Sequence, residues 1–230
     1  RLQIDLLHLD WIALSHGHFD HTWGLDVLIR HYYEAATHGT DHSWPRLMAH
    51  PGVFASRNRE EALQTGLLVA KDKIDTQFKT TLTKEPFWFT DKLVFLGEVE
   101  RVMDFEPAAT IGQRHEADGM VDDDIPDDSA LTYVSDEGLV VIAGCAHVGI
   151  CNTVEKAKKV TGVDKVHTVL GGFHLQKAKP ERLDPTTDYL AALNLEALYA
   201  CHCTDLAAKI ALARKCPLLE AGSGVTFTFE

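Results

Sequence analysis

Four residues with metal-binding side chains lie close together near the start of the chain: His16, His18, Asp20 and His21. Imidazole nitrogens and carboxylate oxygens are ligands that zinc, iron and manganese use in proteins. A loop can direct His16 and His18 at one point, while Asp20 and His21 enter a first helical turn and face a second point. This spacing indicates a site for two divalent ions rather than a histidine-rich surface loop.

The residues around this motif predict a strand, a loop and a helix. Residues 9–14 form a short apolar run, and residues 20–36 carry Leu25, Leu28 and Tyr32 at helical spacing. The motif would therefore lie at the carboxyl end of a strand, where the active sites of α/β proteins usually lie.

The rest of the chain alternates between strand and helix patterns, and we predict one α/β domain over residues 1–230. Antiparallel strands are expected at the front and β-α alternation at the back. Residues 57–90 are polar and mixed, and we interpret them as an insertion or lid. Strands are predicted at 46–50, 92–102, 130–135, 138–144, 166–170 and 197–201, and helices at 151–160, 187–195 and 204–215, the last capped by Thr204.

The formal charge of −12 argues against nucleic acid as a partner, because phosphate backbones are bound by clustered lysine and arginine. A small-molecule substrate is expected instead, and the oligomeric state is open. Much of the negative charge is concentrated in one stretch, which we interpret as a solvated acidic loop. Its members are Asp118, Asp122, Asp123, Asp124, Asp127 and Asp128.

The five cysteines lack the regular spacing of a small secreted domain and are expected to be reduced thiols. No stretch reaches the roughly 18 uninterrupted apolar residues that a membrane-spanning helix needs. We therefore expect a cytoplasmic protein that does not enter a membrane.

Five segments together resemble the metallo-β-lactamase superfamily, and more narrowly its branch named for the dihydropterin-ribofuranosylaminobenzene 5'-phosphate synthase. The resemblance covers nearly the whole chain and implies an αββα four-layer sandwich. Members usually carry further N-terminal strands before the first motif, and they commonly have Gly where Trp23 stands. The segments are residues 15–22 (SHGHFDHT), 95–101 (FLGEVER), 144–150 (GCAHVGI), 171–175 (GGFHL) and 201–204 (CHCT).

By this resemblance, each of two ions has three protein ligands. His16, His18 and His147 would hold one ion, and Asp20, His21 and His202 the other. The residue pattern agrees, because His147 and His202 each follow a predicted strand.

Other residues have open roles in the expected site. His174 follows a Gly-Gly pair and is interpreted as a ligand, a substrate contact or a hydrogen-bond donor to a ligand. Cys145 stands where relatives often have a bridging Asp, so it is either a thiolate ligand or a small buried residue. Asp128 is a weaker bridging candidate, and Arg101 is a candidate anchor for an anionic substrate.

These residues predict a metal-dependent hydrolase in which two ions activate water against an unknown small molecule, one that could carry phosphate. Zinc is the expected metal, with iron or manganese as alternatives. Asp20 would both bind an ion and orient the nucleophile. Three other functions are also open: redox chemistry on iron, the branch's pterin-linked synthase reaction, and a non-catalytic metal-binding module.

Overall fold

The computed structural model describes residues 4–59 and 63–230. The chain forms two compact units, one from residues up to 84 together with 110–127, the other from residues 85–109 together with 128–230. The first unit carries the motif from His16 to His21, and the second carries His147, His174 and His202.

Strands and helices alternate in the first unit. In chain order they are β1 (Trp11–Ala13), α1 (Phe19–Thr22), α2 (Leu25–Thr37), β2 (Arg46–Ala49), a 3-10 turn (Pro51–Phe54), β3 (Arg57–Asn58), α3 (Lys71–Gln77), β4 (Lys79–Leu82), β7 (Gln113–Glu116) and β8 (Gly119–Asp122). Strands β5 (Phe87–Trp88) and β6 (Leu93–Phe95) lie between β4 and β7 in the chain and belong to the second unit.

The first unit has a parallel sheet of order β1-β2-β4 and an antiparallel sheet of order β3-β7-β8. The helices α2 and α3 lie in the connections between the parallel strands, which a short turn cannot join. The expectation of antiparallel strands at the front of the chain is therefore wrong for β1, β2 and β4.

A small apolar core holds this unit together. Leu14, Leu47, Val53, Ile74 and Phe78 are buried against one another, with at most 5% of any side chain exposed. Burying each such side chain contributes about 1.5–3 kcal/mol to the free energy of folding. The motif loop follows Leu14 directly, so its starting point is anchored in this core.

The second unit is built on one mixed sheet. Its elements are β5 (Phe87–Trp88), β6 (Leu93–Phe95), β9 (Ala130–Ser135), β10 (Gly138–Ala143), α4 (Ile150–Thr161), β11 (Val166–Gly172), α5 (Pro180–Ala192), β12 (Ala197–Cys201) and α6 (Leu206–Ala213).

The sheet has the order β12-β11-β10-β9-β6-β5. Strands β10, β11 and β12 are parallel, and the remaining pairs are antiparallel. Val141, Val169 and Leu198 lie fully buried on the three parallel strands, and Ile150 and Val154 of α4 belong to the same core. Because β10, β11 and β12 run the same way, their carboxyl ends meet at one edge of this sheet.

A carboxylate from another part of the second unit caps α4. Gly149 precedes the helix and has no side chain to cap it. Glu106 does so instead, accepting hydrogen bonds from the amides of Cys151 (3.2 Å) and Asn152 (2.9 Å). Burial raises the pKa of the Glu106 carboxyl, although these amides act in the opposite direction.

Several predicted elements are confirmed and others shift. The hairpin of β9 and β10 pairs as expected. Helix α6 begins at Leu206, and its cap is Asp205, whose carboxylate accepts from Ala208 N at 2.9 Å; the prediction of Thr204 as cap was wrong. Thr204 instead accepts a hydrogen bond from Phe173 N at 3.1 Å.

The segment at 57–90 contains β3, α3, β4 and β5, and residues 60–62 lie outside the described part of the chain. Its role as an insertion or lid stays a prediction, as does a single domain over 1–230. Within residues 4–59 and 63–230, the helices fall short of the length and apolar character needed to cross a membrane.

Candidate metal centre

The loop after β1 buries two of the predicted ligands. His16 is fully buried and His18 is 8% exposed. His16 Nε2 lies 3.1 Å from His18 Nδ1. Two nitrogens on one tetrahedral zinc ion are about 3.3 Å apart, given Zn–N bonds of about 2.0–2.1 Å. The spacing of these two nitrogens therefore fits ligation of a single ion.

Burial also keeps the His18 ring suited to metal binding. Desolvation lowers the pKa of His18, and the nearby charge of Arg57 lowers it further. A neutral imidazole keeps the nitrogen lone pair that a metal ion needs.

Ser15 organises two histidines at once. Its hydroxyl lies 3.1 Å from His16 Nδ1 and 3.4 Å from His21 Nδ1. A hydroxyl can donate to one ring and accept from the other, which fixes both rings with Nε2 turned away from Ser15. Ser15 was not predicted as a site residue, although a small hydroxyl residue directly before the motif is a signal that points to it.

Asp20 and His21 form the second pair of the motif. Both lie in α1, and His21 Nε2 is 3.5 Å from Asp20 Oδ2. This oxygen-to-nitrogen distance also matches two ligands on one tetrahedral ion, about 3.3 Å apart. The Asp20 side chain is 36% exposed, so solvent and a substrate can reach it.

A buried ion-pair network holds the middle of the motif. Asp127 Oδ2 accepts a hydrogen bond from the amide of Gly17 at 2.8 Å, and its other oxygen pairs with the guanidinium of Arg57. Arg57 also donates to Asp123 at 2.7 Å. A side chain at position 17 would overlap Arg57 and the Val53 carbonyl, which explains the glycine between two ligands.

The network corrects the interpretation of the acidic stretch as a solvated loop. Asp123 and Asp127 are fully buried, and Asp128 is 1% exposed. Buried carboxylates require charged or hydrogen-bonding partners, and Arg57 supplies one for Asp123 and Asp127. Arg57 was not predicted as a site residue, because its partners are 66 and 70 residues away in the chain.

In the second unit, three predicted residues follow three neighbouring parallel strands. His147 comes after β10, His174 after β11 and His202 after β12. His174 and His202 have φ values of 48° and 51°, so each leaves its strand in a left-handed turn. The strand ends bring these three residues to one edge of the sheet, and their role as ligands stays a prediction.

Cys145 lies close to two of these histidines. Its Sγ atom is within 4.8 Å of a ring nitrogen of His147 and within 4.8 Å of a ring nitrogen of His202. Cys145 is 3% exposed and His147 is 7% exposed. Within the second unit, the Cys145 sulfur is therefore near one ring nitrogen of each histidine.

His174 and Cys203 are joined to this group. The rings of His147 and His174 have centroids 4.2 Å apart, and the His174 amide donates to Cys203 Sγ at 3.2 Å. Hydrogen bonding from Cys145 is the main cause of a pKa of Cys203 held below its usual value. His174 thus lies beside the candidate ligands of this unit.

Asp128 has a structural role in the same unit. Its Oδ2 accepts a hydrogen bond from the amide of Val148 at 3.0 Å, next to His147. The carboxylate thereby fixes the turn that presents His147. Its proposed bridging role stays a prediction.

An open cleft of about 560 Å³ adjoins His174. Phe105, Pro107 and Ala178 give it an apolar wall, while Lys177 and Lys179 bring positive charge. Arg101 is not among its lining residues, and its role as an anion anchor stays a prediction. The remaining lining residues are Asp104, Ala109, Gln176, Glu181 and Arg182.

Comparison with known proteins identifies the family. Residues 1–156 match the profile of the metallo-β-lactamase superfamily. The chain is 32% identical over 216 residues to a 7,8-dihydropterin-6-methyl-4-(β-D-ribofuranosyl)-aminobenzene-5'-phosphate synthase of Methanocaldococcus jannaschii, covering 90% of this chain and 70% of the relative. It is 28% identical to an uncharacterized protein of that organism, covering 89% of this chain and 73% of the other.

A solved structure supports the fold. It is described as a metal-dependent hydrolase of the β-lactamase superfamily, and it matches with a TM-score of 0.78 and 21% identity. The match covers 95% of this chain and 79% of the other. The fold class expected from the motifs is confirmed, and the chain belongs to the metallo-β-lactamase superfamily.

Proposed function

We propose that this protein is a hydrolase that uses two divalent ions to activate water against a small-molecule substrate. Zinc is the expected metal. The observation that carries the proposal is the pairing of His16 with His18 and of Asp20 with His21 at distances suited to one ion each. Membership of the superfamily supports the same chemistry.

In this proposal, each ion has three protein ligands. His16, His18 and His147 hold one ion. Asp20, His21 and His202 hold the other. The donor set of imidazoles and one carboxylate suits zinc and also allows iron or manganese.

The chain's own residues then prepare the reaction. Bound divalent ions lower the pKa of water towards neutrality and polarise the bond under attack. Asp20, which reaches solvent, orients the incoming water through its carboxylate. His174 Nδ1 is buried and makes no hydrogen bond within the described residues, so it is available to a substrate atom.

The cleft beside His174 supports a substrate that carries a negative group, such as a phosphate. Lys177 and Lys179 offer ammonium groups there, and Phe105 and Pro107 offer an apolar face. A ligand with a ring and an anionic substituent would match both features.

A second candidate is a synthase reaction like that named for the relative with 32% identity. A metal centre and a cleft for an anionic ring compound would serve that reaction too. The two functions differ in the nucleophile: water in the hydrolase, and a second organic substrate in the synthase.

The first measurement is elemental analysis of purified protein. We expect close to two zinc, iron or manganese ions per chain. His16→Ala and His202→Ala should each lower that number, whereas His115→Ala, at an exposed position on β7, should not. Protein that holds no metal after incubation with zinc, iron or manganese ions would contradict the proposal.

The second measurement is activity against phosphodiesters, phosphomonoesters and lactones, and against a dihydropterin diphosphate with and without an aminobenzene ribofuranosyl phosphate. We expect Asp20→Asn to lower kcat by about 100-fold or more. Asp41→Asn is the matched control, because the Asp41 side chain is 99% exposed. Turnover that needs the second organic substrate would favour the synthase, and bound metal without turnover on any class would favour a non-catalytic module.

A further inference from the structure

Cys145 is a buried thiol for which the proposed function has no use. It follows β10, is 3% exposed and is two residues from His147. The backbone turns sharply here, since Ala146 has φ of 51°. A non-glycine residue in this region carries strain, so the surrounding structure fixes the direction of both flanking side chains.

The sulfur atom lies close to the two histidines of its unit that the proposed function makes ligands, His147 and His202. A thiolate and an imidazole on one tetrahedral zinc ion are about 3.6 Å apart, from Zn–S of about 2.3 Å and Zn–N of about 2.0–2.1 Å. Cys145 Sγ is within 4.8 Å of nitrogens on His147 and on His202. Because the proposed function assigns these histidines to different ions, a sulfur near both is in position to bridge the two ions.

We infer that the Cys145 thiolate is a metal ligand shared by the ions that His147 and His202 hold. The inference rests on the proposed function and adds a seventh ligand to it. On metal binding, the S–H bond breaks, its proton passes to solvent, and a sulfur-to-metal bond forms. A soft thiolate in the centre favours zinc and iron over manganese and magnesium.

The neighbouring cysteine provides a matched control. Cys203 is half-buried and lies close to Cys145. Its Sγ accepts a hydrogen bond from the amide of His174 and lies 3.4 Å from the Cys145 carbonyl oxygen. It also makes a side-chain hydrogen bond with Cys145, so it is a second sulfur in the same cluster. Replacing Cys203 by Ser keeps a hydrogen-bonding atom there while removing its sulfur.

The test is cobalt substitution, with absorbance as the readout instead of activity. A thiolate bound to Co²⁺ gives an intense near-ultraviolet charge-transfer band, whereas imidazole and carboxylate ligands do not. We expect this band in the wild-type protein and in Cys203→Ser, and its loss in Cys145→Ser. A band that survives in Cys145→Ser, or wild-type protein that binds Co²⁺ without the band, would overturn the inference.

X-ray absorption of the wild-type zinc protein needs no variant and covers the case in which Cys145→Ser does not fold. We expect a sulfur scatterer at about 2.3 Å from zinc. It should persist when Cys201 and Cys203 are both replaced by Ser. Zinc surrounded only by nitrogen and oxygen would refute the thiolate ligand while leaving the hydrolase proposal intact, and failure to bind any metal would refute both.

Discussion

At the scale of single residues, the motif depends on side chains that do not touch a metal. Gly17 separates His16 from His18, and its amide is held by Asp127, which is in turn paired with Arg57. The side chains of Arg57 and Asp127 are at most 1% exposed. A charge in such a place is stable only while its partner is present.

Removing one partner of this buried pair should therefore be costly. We expect Asp127→Ala to lower the free energy of unfolding by about 3–5 kcal/mol, because the Arg57 charge is left without full compensation. The variant should also bind zinc more weakly, since the Gly17 amide loses its acceptor. Urea unfolding and a zinc-chelator competition measure the two effects.

The control for this prediction is an ion pair on the surface. Arg30 and Glu34 are 3.9 Å apart on α2, with side chains 70% and 60% exposed. Arg30→Ala should cost less than about 1 kcal/mol and leave zinc affinity unchanged. Equal losses in Asp127→Ala and Arg30→Ala would show that the buried network does not stabilise the motif.

At the scale of elements, the cap of α4 offers a second prediction. Glu106→Ala leaves the amides of Cys151 and Asn152 without their buried acceptor, and we expect a loss of about 2–3 kcal/mol in the free energy of unfolding. Glu196→Ala, at an exposed position, should change stability by no more than about 0.5 kcal/mol.

The same helix cap should respond to pH in a defined direction. Burial raises the pKa of Glu106, so the folded state holds this proton more tightly than the unfolded chain. That contribution to stability is complete below the unfolded value of 4.5 and is lost as pH rises through the folded pKa. In a pH series of unfolding experiments, Glu106→Gln should lack this decline, and a decline of equal size in the variant would refute the assignment.

The elements also show how far the sequence can predict this fold. Local patterns were enough for the β9 and β10 hairpin and for the strand ends that carry His147 and His202. The pairing of strands was harder to predict. Strands β1, β2 and β4 are joined by helices, and a short apolar run does not reveal which strands lie beside it in the sheet. The predicted cap of α6 was wrong by one residue, since Thr204 and Asp205 both have side chains that cap helices well. In the structure the Thr204 hydroxyl accepts from the Phe173 amide, and Asp205 caps the helix.

For the candidate site, the residues with a recognisable spacing were predictable and their supports were not. The motif from His16 to His21 stands out in six residues of sequence. Arg57, by contrast, is an ordinary arginine in sequence and acquires its meaning only when the fold brings Asp123 and Asp127 to it. Long-range charge pairing of this kind has no local signature.

At the scale of the whole molecule, the charge balance bears on substrate binding. The chain has a formal charge of −12, so an anionic substrate is repelled at a distance and must be attracted locally. Lys177 and Lys179 are both exposed beside the cleft, where they can supply that attraction. Salt screens the long-range repulsion over a Debye length of about 10 Å at 0.1 M.

Replacing both lysines by Ala should therefore lower kcat/KM for an anionic substrate and change its salt dependence. With both lysines replaced, Arg182 is the cation left among the lining residues of the cleft. Repulsion then weighs more, and added salt should raise kcat/KM in the variant more than in the wild type. Steady-state kinetics from low to moderate salt would measure this. Lys71→Ala with Lys73→Ala on α3 is the matched control, because it makes the chain equally more negative at a site outside the cleft. Identical salt responses in the two double variants would mean that net charge, and not the cleft lysines, governs access of the substrate.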